Sequence, residues 1–125
     1  MSKVGTVGWF DLTVPEAGKV RDFYCAVAGW TAQEHDMGAY ADYEMFTPDG
    51  ERVAGVCHRR GPNKDVPPQW LIYIAVADVN ASLDACIANG GQVLSPAKEM
   101  GSYGRIAIVK DPAGAVAALW EQAGA

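Results

Sequence analysis

Thr47-Pro48-Asp49-Gly50-Glu51-Arg52-Val53-Ala54-Gly55-Val56-Cys57 is answered 64 positions later by Asp111-Pro112-Ala113-Gly114-Ala115-Val116-Ala117-Ala118-Leu119-Trp120-Glu121. Each copy is a Pro-x-Gly turn that feeds a short apolar strand. Working outward, each copy is preceded by an apolar run that passes into an amphipathic helix ending at glycine, first from Trp9 to Gly29 and then from Leu71 to Gly90. A repeated unit of this size cannot bury its apolar face alone. The two halves are expected to pack together or to pair with another chain, and a cleft between them is where function is expected.

In the first module Val7-Gly8-Trp9-Phe10-Asp11-Leu12-Thr13-Val14 alternates as a half-buried strand does. Pro15 suits the first turn of a helix, and Val20, Phe23, Tyr24, Val27 and Ala28 form one apolar stripe closed by Gly29. The second module has a strand from Leu71 to Val76, Asp78 as N-cap, and Val79, Leu83, Cys86 and Ile87 on one helical face before Asn89-Gly90-Gly91. Three shorter strands are expected after each helix, near 30–35, 42–47 and 52–58, then near 92–95, 105–110 and 115–121. The fold expected is α+β: two βαβββ modules forming curved mixed sheets around a cleft, helices on the outer face. Module one covers about 4–58, a breaker-rich connector about 59–68, and module two about 69–122, all within one domain spanning 1–125.

The chain has 125 residues, half of them apolar, enough for one sizeable core without staples. Its net charge of −5 argues against nucleic acid as a partner. Arg59-Arg60 with Lys64 form the one basic cluster, read as a solvated connector or a small anion-binding patch. No apolar run is long enough to span a bilayer, the first residues do not open a signal peptide, and a cytoplasmic protein is expected. Three cysteines without CxxC spacing suggest reduced, mostly buried thiols.

With these residues in view the chain resembles the vicinal oxygen chelate superfamily, which includes glyoxalase I, extradiol dioxygenases and bleomycin resistance proteins. The resemblance rests on Val20-Arg21-Asp22-Phe23-Tyr24 with Gly29-Trp30, on Asn89-Gly90-Gly91, and on Gly104-Arg105 through Asp111-Pro112-Ala113-Gly114. It implies a metal ligand on the first and last strands of each module. Those positions fall on Trp9, Ala54, Leu71 (or Trp70) and Ala118, none of which binds a divalent cation. No metal and no other cofactor is therefore expected.

Strand alternation from those positions predicts a ligand-facing set of Trp9, Asp11 and Thr13; Ala54, Val56 and His58; Leu71, Tyr73 and Ala75; and Val116, Ala118 and Trp120. Asp11 is read as a binder of a ligand cation or a base, or as a structural carboxylate held by Arg105 or another residue. His58 is read as a general acid or base, or as incidental. Cys57 and His58 point to opposite faces and cannot form a dyad. His35 is placed in a polar, loop-like stretch. Gly101-Ser102-Tyr103-Gly104 is read as a flexible rim from which Tyr103 touches ligand. Arg105 is read as a ligand contact or as half of an ion pair with Glu44, Asp11 or Glu121.

Asp11 and His58 are thus the catalytic candidates. Trp9, Asp11, Thr13, His58, Tyr73, Tyr103, Arg105 and Trp120 are the ligand-binding candidates. The leading expectation is a metal-independent, homodimeric binder of a small molecule, of the bleomycin-resistance kind, with an aromatic and partly acidic cleft. The alternatives are a lyase, isomerase or dioxygenase-related enzyme using acid–base side chains, or a metalloenzyme whose ligands lie in another register.

Overall fold

The computed structural model describes residues 3–60, 64 and 66–124. Gly61, Pro62, Asn63 and Asp65 of the expected connector lie outside the described residues. In chain order the elements are β1 (Val7–Val14), α1 (Ala17–Ala28), β2 (Thr31–Asp36), β3 (Ala41–Phe46), β4 (Arg52–His58), β5 (Trp70–Ala75), α2 (Val79–Ala88), β6 (Gln92–Glu99), a 3-10 turn (Gly101–Tyr103), β7 (Arg105–Lys110) and β8 (Val116–Glu121). This is the expected βαβββ order stated twice, an α+β fold. The chain forms two compact units, Phe10–Trp70 and Met1–Trp9 with Leu71–Ala125.

In the unit Phe10–Trp70 the strand order is β2-β3-β4-β1, antiparallel from β2 to β4 and parallel between β4 and β1. The parallel pair is what a strand–helix–strand crossover produces. Leu12, Val14, Ala17, Met45, Ala54 and Val56 form the buried core, with Val20, Tyr24, Cys25, Trp30, Tyr43, Val53 and Trp70 packed against it. The Trp70 indole donates to the Tyr24 hydroxyl at 3.0 Å, and both rings meet Trp30.

α1 begins at Ala17 behind Glu16, so Pro15 lies in the turn before the helix rather than in its first turn. Gly29 closes the helix at φ +73°, as glycine at a left-handed cap does. The stripe predicted along this helix is only half used, because Val20 and Tyr24 pack inward while Phe23 is 56% and Val27 66% exposed. A stripe about 100° wide exceeds the contact that the sheet offers on this side.

In the other unit the order is β5-β8-β7-β6, parallel between β5 and β8 and antiparallel beyond. Residues before β1 add to β5, with the Gly5 amide on the Ala75 carbonyl at 2.7 Å and the Ala75 amide on the Thr6 carbonyl at 2.9 Å. The Asp78 carboxylate accepts the Asn80 and Ala81 amides, capping α2 as its sequence implies. Ile87, predicted on the inner stripe, is 63% exposed. β6 runs to Glu99, longer than expected, with register shifts along its pairing to β7.

The β3–β4 pairing carries an irregularity that the β7–β8 pairing lacks. After the turn at Thr47–Gly50, Phe46 pairs with Arg52 but Met45 pairs with Ala54, so Val53 is an extra residue in β4. The corresponding pairs of the second module, from Lys110 with Val116 to Arg105 with Glu121, keep one register. A β-bulge of this kind exchanges the two faces of everything downstream.

Candidate functional site

The bulge decides which residues share a face. Leu12, Val14, Ala54 and Val56 all lie in the core with α1, so Asp11 and Thr13 look away from that helix while Ala54 and Val56 look toward it. The prediction that Ala54, Val56 and His58 share a face with Trp9, Asp11 and Thr13 is therefore corrected. The residues of β4 that do share that face are Gly55 and Cys57, which register with Asp11 and Thr13. In the second module β8 has no bulge, and Tyr73, Ala118, Ala75 and Trp120 sit in register on one face. Glu121, whose carboxylate takes the first amide of α2, marks the opposite face. By register His58 thus corresponds to Glu121.

On the face away from α1, polar groups gather in a partly buried strip. The Cys57 thiol donates to Asp11 Oδ2 at 3.7 Å, and Asp42 lies on its other side. Burial first, then the charges of Asp11 and Asp42, push this thiol far above its ordinary range. It is a neutral donor at physiological pH and not a nucleophile. Thr13, in register with Cys57, is a buried polar residue at 5% exposure. Further along the same face Glu44 takes Arg52 as its ion-pair partner, with the His35 ring 3.9 Å away. His35 lies within β2 rather than a loop, and its neighbour Asp36 turns to the Gly38 amide.

His58 occupies the other face, at the end of β4. Its Nδ1 is 2.8 Å from the Ala41 carbonyl and 3.7 Å from Asp42 Oδ1, and the Asp42 carboxylate also accepts the His58 amide. The carbonyl can only accept, so Nδ1 carries a proton. Tyr40 and Tyr43 flank the imidazole at 5.6 and 6.1 Å, and Arg60 and Arg21 lie over those two tyrosine rings. Residue alternation foretold that Cys57 and His58 would part. The tyrosine flanks escaped sequence reading because Tyr40 lies in the turn before β3, where periodicity carries no signal.

In the second unit Arg105 donates to both Glu121 oxygens at 3.0 and 3.1 Å, which is the ion-pair alternative and leaves Asp11 to other partners. The Val79 amide first, and Arg105 second, hold the Glu121 carboxyl below the usual carboxylate range. Tyr103 is exposed, but its carbonyl accepts the Trp120 indole at 2.6 Å, so the glycine-rich segment is a pinned 3-10 turn rather than a free rim. The structure therefore groups Asp11, Thr13 and Cys57 in one unit, and Tyr103 with Trp120 in the other.

A family model described as the Glyoxalase/Bleomycin resistance protein/Dioxygenase superfamily matches residues 6–119. The chain belongs to this superfamily. Among its curated relatives is "Putative glyoxylase CFP32" of Mycobacterium bovis, 37% identical over 94% of this chain and 46% of that one. The anthracycline biosynthesis protein DnrV of Streptomyces peucetius is 32% identical over 94% of this chain and 47% of its own. The glyoxalase-superfamily chain thus spans about half the length of the curated relatives it matches. A hypothetical protein of Bacillus halodurans superposes with a TM-score of 0.61 at 13% identity, covering 98% of each chain. The methylmalonyl-CoA epimerase of Mycobacterium tuberculosis does so at 0.55 and 16%, covering 98% of this chain and 93% of that one. At such identities the likeness is one of fold.

The metal implied by this superfamily does not fit the residues present. With the bulge counted, the strand positions named above are Trp9, Gly55, Leu71 and Ala118, which offer no donor. Among the described residues no three His, Cys, Asp or Glu side chains are grouped to hold a metal ion. No helix among the described residues is long and apolar enough to cross a membrane.

Proposed function

We propose that the protein binds a small molecule without a metal, on the face of β1 and β4 away from α1, and that Asp11 orients the ligand. The observation that carries this reading is the strip Asp11, Thr13, Cys57 and Asp42. Polar side chains on one half-buried sheet face, next to a bulge, are costly to a mere scaffold and useful to a binding surface. Trp9 lies on the same side of β1 as Asp11 by alternation, so the ligand is expected to be partly apolar or planar. The test is a thermal-shift screen of small molecules followed by Asp11→Asn. The expected result is a ligand that raises the melting temperature of the wild type and loses at least tenfold in affinity for the variant, with the unliganded melting temperature nearly unchanged. A large drop in unliganded stability would instead make Asp11 structural.

One observation favours a second reading, an enzyme of lyase or isomerase type. The fixed tautomer of His58, with Nδ1 on the Ala41 carbonyl and Asp42 behind it, is how a general base is held. His58→Gln would then cut turnover by about 10²–10⁴-fold, whereas a binder would lose affinity only gradually. We further propose a cytoplasmic homodimer. The unpaired Cys25, Cys57 and Cys86 suit a reducing compartment, and the exposed Phe23 and Val27 on α1 suit a protein contact. Sedimentation equilibrium of wild type and Phe23→Ser checks the dimer.

A further inference from the structure

One polar group next to the proposed binding face is left without a partner by the fold. The ladder between β1 and β4 continues one step past His58, with the Arg59 amide on the Val14 carbonyl at 2.9 Å. Alternation therefore puts the Arg59 side chain on the side of Cys57 and Thr13. Arg59 Nε is a buried donor with no hydrogen-bond partner. Thr13, in register with Cys57, is buried on the neighbouring strand. Folded proteins seldom leave a buried guanidinium nitrogen unsatisfied, since each such group keeps its full desolvation cost. Among the described residues no carboxylate forms an ion pair with Arg59.

We propose that Arg59 and Thr13 form an oxyanion subsite that takes a carboxylate or phosphate group of the ligand. An arginine presents donors in a planar fork matched to such groups, and a threonine hydroxyl adds a third donor from the neighbouring strand. Asp11 lies two residues before Thr13 on β1 and accepts hydrogen bonds only. The ligand class is therefore a small molecule with an oxyanion at one end and a hydrogen-bond donor, such as a hydroxyl or an ammonium group, at the other. This inference rests on the reading of that face as the binding face.

The test uses inorganic phosphate and acetate as separate probes, titrated into the full chain at constant ionic strength in chloride and followed by calorimetry and melting temperature. One probe is expected to bind saturably, which also tells a phosphorylated from a carboxylate ligand. Arg59→Met should weaken it at least ~10-fold and Thr13→Val about 3-fold. Arg60→Met, which removes the guanidinium stacked on Tyr40, should leave it within about 2-fold. The unliganded Arg59→Met protein should melt at or above the wild-type temperature, because it no longer buries an unsatisfied donor. A lower melting temperature, or anion binding indifferent to Arg59→Met, overturns the subsite, as does the absence of saturable binding with both probes. A screened ligand that depends on Asp11 but not on Arg59 would sink the subsite and leave the proposed function standing.

Discussion

Gly104 shows what a single atom decides. Its φ is +106°, and a Cβ there would lie 2.1 Å from the Glu121 carbonyl oxygen and 2.6 Å from the Ala123 nitrogen, both backbone. Gly104→Ala is expected to cost on the order of 3 kcal/mol or more, read by urea denaturation, whereas Gly114→Ala, at φ +94° with open space around it, should cost about 1 kcal/mol. Glu121 gives a pH signature. Its folded carboxyl titrates below its unfolded range of about 4.3. The stability it adds is present above that range and is lost as pH falls through the lower, folded value. Glu121→Gln should therefore flatten the acid limb of a stability-versus-pH curve and leave its shape above pH ~6 unchanged. Cys57 should resist thiol reagents at neutral pH while Cys25 and Cys86 react, which peptide mapping after alkylation would show. The lost ligand positions were legible in the sequence because absence of a donor needs no geometry. The partners of Asp11 were not, since the Cys57 contact joins residues 46 apart.

Helices and strands were read well wherever turn chemistry marked them. Asp78, Gly29 and the two Pro-x-Gly turns sit where their residue types require. Depth of burial was read less well, because a periodic stripe says which side of a helix is apolar and not how much of it the sheet covers. The α1 stripe separates the two cases experimentally. Tyr24→Ala should cost about 3–4 kcal/mol, since it removes a ring packed on Trp30 and Trp70 along with the bond from the Trp70 indole. Phe23→Ser, one residue away, should change the stability of the monomer by less than ~0.5 kcal/mol, measured by chemical denaturation at low protein concentration. Face assignment failed at β4. β4 is shifted by a bulge that hydrophobicity cannot reveal, since Val53, Ala54 and Val56 are apolar on either side of it.

At the scale of the whole molecule, the acidic balance sets colloidal behaviour rather than fold. With an isoelectric point near 4.8 the protein should show its lowest solubility near that pH, which turbidity against pH would record. The architecture itself was legible because it is stated twice, and agreement between two copies filters out accidents of local propensity. That same repetition misleads when used as a ruler. A four-residue step from Gly50 reaches a side chain sealed under α1, while the same step from Gly114 reaches the opposite side of its sheet. An alignment of the two halves without a gap is thus half a pleat out of phase beyond Val53. Any transplant of β4 into the place of β8, or the reverse, would turn an apolar seam outward and a polar strip inward. One inserted residue is thus enough to make β4 and β8 non-interchangeable, although the turns that feed them are alike.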